Sequence, residues 1–431
     1  REVKKGKEGV ANVGARGVEE ATEREWQVGY ARASWGELSE YLVSVGYTKE
    51  EIVEAGLAVR SEKKQEEIYD RFRGRIMFPI HDVAGKVIAF SGRFFEKVAG
   101  SKEEGEPAKY VNSPETPIFK KSKVLYGLDH AKAMMRKADC ILLVEGQFDL
   151  IMSHQSGLPF AVALSGTALT DEHLSLLGRY SKRLVLALDA DQAGVRAGLK
   201  SALMALRAGF DVKIPTFNDA KDPADVAKEN PELLKAAVRT SKTAVEFFLD
   251  ALRPNAQDER AYKRLVEIQI LPLIAVMGSK IDQEHFIQIV ASRLHVPADA
   301  VRAEVAKRPA LTGVAEETEA VVFPEPGLSI IEEKTGMLYA HFGEESEIVQ
   351  KLRTILGEVL YQAYRTKFLP HLELLQFKFD AEVGEEGREE GVAADMLRGV
   401  ELMRIEEEIS SGTTDTVKIM QLVRRKEELR K

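Results

Sequence analysis

The pattern of apolar and polar positions changes three times along the chain. Over 37–45 and 49–55 apolar residues recur at three- and four-residue spacing, which predicts two short helices separated by Gly46 and Tyr47. The period then drops to two. Residues 75–80 and 86–90 read as strands split by the polar turn His81-Asp82-Val83-Ala84-Gly85, so a β-hairpin is expected. The stretch 96–109 is rich in Lys, Glu and Gly and reads as a loop. From residue 139 strands and helices alternate. Apolar runs at 140–144, 160–164, 184–188 and 210–214 read as strands. Helical spacing covers 149–155, 171–179 and 193–208, with Thr170 as an N-cap. That alternation implies a parallel sheet with helices on both faces. Residues 241–310 read as helical throughout, punctuated by Pro272 and Pro297; 311–327 read as a linker closed by Pro324 and Pro326. A second helical region follows over 328–431, amphipathic at 348–361 and 396–409. The expected fold class is α/β and α: a parallel-sheet domain flanked by a mixed α+β N-terminal subdomain and helical C-terminal domains.

Composition narrows this picture. The 431 residues suggest about three domains, and 44% hydrophobic with 30% charged residues supports packed cores rather than global disorder. The single cysteine, Cys140, excludes an internal disulfide and a cysteine-based zinc site, and fits a reducing, cytoplasmic setting. No run of eighteen apolar residues exists, so no membrane association is expected. The net charge of −8 at first argues against a nucleic-acid partner, but the charge is unevenly spread. Residues 311–431 hold 25 acidic and 15 basic residues, whereas 60–140 hold 17 basic and 12 acidic. A local basic surface is followed by an acidic tail.

The acids after the strands carry the candidate chemistry. Glu145 follows the 140–144 run directly, and Asp189 and Asp191 follow the 184–188 run. In an open parallel sheet, ligands bind at the carboxyl ends of strands. Alternate residues of an extended end point the same way, so Asp189 and Asp191 form a pair. Oxygen ligands without His or Cys favour Mg²⁺ or Mn²⁺. Each acid alone also reads as a helix cap, but the combination is harder to explain in that way. Strand–Glu145-Gly146 and strand–Asp189-x-Asp191-x-x-Gly194, 44 residues apart, resemble the Toprim domain of primases, topoisomerases and some nucleases. The resemblance implies Glu145, Asp189 and Asp191 as catalytic, metal-binding acids, with Asp149 and Asp222 as auxiliary metal ligands. Relatives often carry an acid two residues after the equivalent of Asp222. Here Ala224 and then Asp225 stand in that region, so which acid assists is open.

The flanks choose among Toprim proteins. Arg71-Phe72-Arg73-Gly74-Arg75-Ile76-Met77-Phe78-Pro79-Ile80, Gly92-Arg93, Lys109 to Thr116 (Lys-Tyr-Val-Asn-Ser-Pro-Glu-Thr), Leu125-Tyr126-Gly127-Leu128, Glu145 to Asp149 and Gly166 to Thr170 resemble the catalytic core of bacterial replicative DNA primases of the DnaG type. The resemblance covers about 14–300. It implies a DNA-directed RNA polymerase that makes RNA primers on single-stranded DNA from ribonucleoside triphosphates, with two or more Mg²⁺ or Mn²⁺ ions. Arg73, Arg75, Arg93, Lys109 and Lys121 are candidates for phosphate contact, and Tyr110 and Asn112 for nucleotide or template contact. If 73–75 is extended, Arg73 and Arg75 share one face, whereas Phe78, Phe90 and Tyr126 read as core. Relatives begin with a zinc-binding domain; no such cysteine cluster is present, so the chain is expected to be a fragment or its zinc module to be encoded elsewhere.

The expected organisation is 1–138 as a basic N-terminal primase-core subdomain, 139–240 as the Toprim catalytic domain and 241–310 as a helical subdomain. The linker, 311–327, leads to 328–431, a helical domain whose position and acidity suggest binding to the replicative helicase rather than DNA. Two other readings stand beside primer synthesis. One is a Toprim nuclease or topoisomerase, although no DNA-gate tyrosine is evident in 241–431. The other is a non-catalytic scaffold linking helicase to template.

Overall fold

A computed structural model describes residues 13–61, 66–97, 107–187, 192–217, 222–256, 258–308, 330–369, 372–383, 389–410 and 423–426. The chain divides into two compact units, Arg1–Val321 and Val322–Lys431.

The first unit holds two larger sheets and a small ribbon. The strands in chain order are β1 (Gly29–Ala31), β2 (Ala58–Arg60), β3 (Ile68–Asp70), β4 (Arg75–His81), β5 (Val87–Phe94), β6 (Tyr110–Asn112), β7 (Ile141–Val144), β8 (Ala161–Ala163), β9 (Arg183–Ala187), β10 (Asp211–Ile214) and β11 (Lys242–Thr243). The expected hairpin is present as β4 and β5, which extend it into a four-stranded antiparallel sheet of order β1-β4-β5-β6. Its turn is held by Asp82, whose Oδ1 accepts the N–H groups of Ala84 and Lys86 at 2.8 and 2.9 Å.

The second sheet has the order β11-β10-β9-β7-β8, parallel except at β11. Its strand β7, flanked by β9 and β8, is buried at every position, which is why its sequence is a continuous apolar run. The helix after β9, Gln192–Arg207, and the helix Asp171–Leu177, N-capped by Thr170, stand where the sequence predicts them. Residues 242–243 differ. Expected to be helical, they form β11, antiparallel to β10, before the helix Ala244–Leu252 begins at the Thr243 cap. One core joins the two sheets: Ile76, Phe78 and Ile80 of the first pack in the same cluster as Leu142, Val144 and Phe148 of the second.

Within that cluster, the ring of His154 sits edge-on to Trp26 at 4.9 Å, and its Nε2 lies 3.0 Å from the Ala161 carbonyl oxygen. Burial lowers the His154 pKa to about 4. An unfolded His titrates near 6.5, so between those values the unfolded chain binds more protons. The stability contributed by neutral His154 is therefore complete above about pH 6.5 and is lost as pH falls toward 4, at about 1 kcal/mol per pH unit. Urea unfolding midpoints at about pH 7.5 and 5 should show this loss, and His154→Gln should shrink it.

The second unit is a helical bundle of Ile330–Phe342, Glu347–Leu356, Glu358–Phe368, Leu372–Val383 and Glu389–Ser410. The amphipathic stretch at 348–361 is thus two helices, divided at Gly357. Leu338, Val349, Leu352, Tyr361, Phe368 and Phe379 fill the core. Glu344 accepts bonds from Arg353 and Arg365, each at 3.0 Å, tying three segments together. Among the described residues, no helix is long and apolar enough to cross a membrane.

Candidate active-site cleft

The carboxyl ends of β7 and β8 open into a cleft of about 710 Å³, walled on its other side by residues from β5 and β6. Its floor follows from the parallel register. Val144 lies beside Ala163 on one side and Ala187 on the other, so three strands end at one level. Glu145 is the first residue beyond that level and lines the cleft. Asp189 and Asp191 follow the strand that ends at Ala187 but lie outside the described residues.

Asp149 and Asp222 line the same cleft. Asp149 sits on the first turn of the helix Gln147–Gln155 and is buried, with its Oδ2 accepting the Gly146 N–H at 3.0 Å and its Oδ1 the Ala224 N–H at 3.2 Å. It therefore holds two successive elements together at the sheet edge. A Cβ at Gly146 would come within 2.9 Å of Asp149 Oδ2, so the tight approach needs glycine. Asp222 caps the helix Pro223–Glu229, accepting the Asp225 N–H at 2.7 Å. Both acids thus bond backbone N–H groups at a helix start, Asp222 as the N-cap and Asp149 from the first turn. This does not compete with a metal role, because a carboxylate has about four lone-pair positions. Asp225 also lines the cleft. Among the described residues, no group of three acids, histidines or cysteines is close enough to hold a metal ion. The donors that do face the cleft are oxygen-only and suit a hard cation.

The opposing wall is basic. Arg93 (β5) and Tyr110 (β6) are cross-strand partners, and Arg93 Nη1 donates to the Tyr110 hydroxyl at 3.3 Å. Burial raises the Tyr110 pKa, keeping the phenol neutral. The guanidinium carbon of Arg93 is 5.0 Å from the Phe148 ring centroid, and that of Arg16 is equally near. Burial, and then the neighbouring Arg93, push the Arg16 pKa down, but a guanidinium remains charged at neutral pH. Two like charges on one ring, only partly offset by Asp225 and Asp222, make this part of the cleft favourable to an anion. Lys109, Lys200 and Lys228 complete the rim. Arg16, Lys200 and Lys228 were not among the sequence candidates. For Lys200 a signal existed: Ala197, Lys200, Ser201 and Met204 all line the cleft at helical spacing. Arg16 offered no local pattern.

The remaining basic candidates sit elsewhere. Arg73 and Arg75 do not share a strand face, which corrects the expectation of a paired basic surface. Strand β4 starts at Arg75, and Gly74 between them takes a left-handed φ of +58°. A Cβ there would lie 2.2 Å from the Glu96 carbonyl oxygen. Arg75 is buried, and its Nη1 donates to the carbonyls of Gly92 and Ala108 at 3.1 and 2.9 Å. Arg73 stacks over Trp35 and Tyr69, at 4.4 and 5.2 Å, and donates to the Asp70 carbonyl. Asn112 donates its amide to the Ser165 carbonyl at 2.8 Å. Together with Lys121 it lines a separate cavity of about 10 Å³ behind the cleft wall. Phe78 and Tyr126 are fully buried, while Phe90 is partly exposed and packs edge-on to Phe72.

With this geometry in view, comparisons with known proteins are informative. Residues 2–132 match the DNA primase catalytic core, N-terminal domain, and residues 142–227 match the Toprim-like family. The DNA primase of Clostridium acetobutylicum is 42% identical over 232 residues, 54% of this chain and 37% of that protein. The DNA primase of Staphylococcus aureus (strain COL) is 33% identical over 303 residues, 70% of this chain and 49% of that protein. The chain therefore spans less than half the length of these relatives. A solved DNA primase domain from Pseudomonas aeruginosa is 28% identical and superimposes with a TM-score of 0.59, covering 69% of this chain and 92% of that one. A DnaG primase catalytic domain bound to ssDNA gives 28% identity and a TM-score of 0.57, covering 68% of this chain and 90% of that one.

Proposed function

Since the chain belongs to the DnaG-type primase family through its catalytic core, we propose that it is a DNA-directed RNA polymerase that makes short RNA primers on single-stranded DNA. The observation that carries this reading is the meeting of acids and cations in one cleft. Glu145, Asp149 and Asp222 line it together with Arg93, Lys109 and Tyr110 from the first sheet's side, and Arg16 joins from a segment packed on the acid-bearing helices. A nuclease needs the acidic wall alone, whereas a polymerase must also hold triphosphates and a template.

Glu145, Asp189 and Asp191 would hold Mg²⁺ or Mn²⁺, with Asp149 and Asp222 assisting. When bound, such ions activate the attacking 3′-hydroxyl and stabilise departing pyrophosphate. The chain's own residues supply the rest. Arg16 and Arg93 grip phosphate oxygens, Arg being suited to two parallel bonds. Lys109 adds a point charge, and neutral Tyr110 orients the Arg93 guanidinium while offering an aromatic edge to sugar or base. Holding both nucleotides in line converts a bimolecular reaction into an effectively unimolecular one. Arg73, stacked on the exposed Trp35 and the half-buried Tyr69, serves template binding, as Arg75, Asn112 and Lys121 do by shaping the wall behind it. The Staphylococcus and Clostridium relatives carry the name DNA primase, and one structural neighbour is bound to ssDNA, which supports the substrate class.

The working division is 1–138 for template and nucleotide binding, 139–240 for the metals, 241–310 as a supporting helical subdomain, 311–327 as linker and 328–431 for the replicative helicase. The protein acts in the cytoplasm at the replication fork. The test is incorporation of labelled ribonucleotides on a single-stranded template with Mg²⁺ or Mn²⁺. Short RNA products support the reading. Template cleavage would point to a nuclease, and template and helicase binding without either product would point to a scaffold.

A further inference from the structure

We infer that Gln147 is a positioning residue that sets how far the basic wall of the cleft stands from its acidic edge. The inference rests on the reading of the cleft as a polymerase site.

Gln147 opens the helix after β7 and is 2% exposed. Its Nε2 donates to Ser91 Oγ at 2.8 Å and to Ser165 Oγ. Those acceptors belong to different bodies. Ser91 lies in the middle of β5 in the first sheet and is fully buried, while Ser165 follows β8 in the second. The two N–H groups of a single amide therefore bridge the two sheets.

Ser165 is itself held from three sides. Its N–H donates to the Glu145 carbonyl at 2.9 Å, its carbonyl accepts from Asn112 Nδ2 at 2.8 Å, and its hydroxyl accepts from Gln147. It keeps a left-handed φ of +59°, which a serine adopts only when its surroundings impose it. Asn112 is anchored in turn, because its carbonyl accepts two bonds from the Arg71 guanidinium at 3.0 and 2.8 Å. Glu145 is thus tied by its backbone to a residue that the first sheet grips through Asn112 and, by way of Gln147, through Ser91.

The register shows what this clamp controls. Ser91 pairs with Asn112 across β5 and β6, and Arg93 pairs with Tyr110. Strand side chains alternate, so Ser91 and Arg93 share one face of the ribbon, as do Asn112 and Tyr110. The inner pair makes the clamp and the outer pair makes the basic cleft wall. Fixing Ser91 and Asn112 against Ser165 consequently fixes Arg93 and Tyr110 against Glu145. A side chain that merely filled space here would be apolar, because a buried amide is costly unless its N–H groups are bonded.

The experiment uses the full chain, comparing Gln147→Met, which keeps length and volume, with the parent. One arm measures KM and kcat for ribonucleoside triphosphates. The other places nitroxides at Val87→Cys and Glu172→Cys, both exposed positions, in a Cys140→Ser background and measures their separation by pulsed electron resonance. The expected result is a broadened or shifted distance distribution with KM raised about tenfold and kcat changed less. A distribution superimposable on the parent's overturns the inference whatever KM does, and so does an unchanged KM beside an altered distribution. If Gln147→Met does not fold, Ser165→Ala, which removes one acceptor only, takes its place in both arms. If the parent makes no primer, the polymerase reading fails, while the distance arm still decides whether Gln147 sets the spacing.

Discussion

Glu145→Gln is expected to cut primer synthesis by about 10³-fold or more while single-stranded DNA binding stays near the parent level. The side chain stands one residue beyond the common end of β7, β8 and β9 and faces the cleft. Glutamine keeps the shape and removes the charge, so packing is preserved and the donor set for a hard cation is not. In the proposed reading template binding falls to the basic residues, which the substitution leaves untouched. Asp189→Ala should behave in the same way. Labelled primer on gels and fluorescence anisotropy of an oligonucleotide read the two quantities separately. Retained synthesis in either variant would remove the metal-acid assignment.

Arg16→Ala is expected to raise KM for ribonucleoside triphosphates by about 10- to 100-fold, the worth of one charge-assisted hydrogen bond at roughly 1.5–3 kcal/mol. The guanidinium stacks on Phe148 near Arg93; burial and then Arg93 disfavour its charge, Asp225 and Asp222 offset this in part, and a bound anion would offset it further. Removing Arg16 therefore weakens phosphate binding and at the same time relaxes the empty cleft. The loss should shrink as salt rises, since part of it is screened Coulomb attraction. Steady-state rates against nucleotide concentration at two ionic strengths check both parts. A KM unchanged at low salt would place Arg16 outside the nucleotide site.

Much of this site was legible as one-dimensional pattern. The continuous run at 141–144 and the acid after it needed only the rule that parallel strands are buried and end in ligands. The hairpin followed from alternation and from Asp82, which does make the turn bonds its position suggests. What escaped was what tertiary contact decides. Arg75 has the composition of a phosphate ligand, yet it spends its donors on two backbone carbonyls. Its neighbour Arg73 is separated from it by Gly74, whose positive φ interrupts the period-two rule. Arg16 reaches the cleft from about 130 residues before Phe148, on which it stacks, and no local periodicity encodes such an encounter. Gly357 was visible as a residue but was read through, because the apolar spacing on either side of it stays in phase.

The two-residue strand β11 bears on how the protein tolerates being cut. It pairs with β10 at one margin of the second sheet, while at the other margin Tyr126 and Ala163 exchange backbone bonds at 2.9 and 3.0 Å. Neither margin offers its neighbours a fully open row of amides. A chain ended at residue 240, where the sequence suggests a domain boundary, would strip β11 away and bare the outer edge of β10. Such a fragment should aggregate through that edge where one ended after Leu252 stays dispersed.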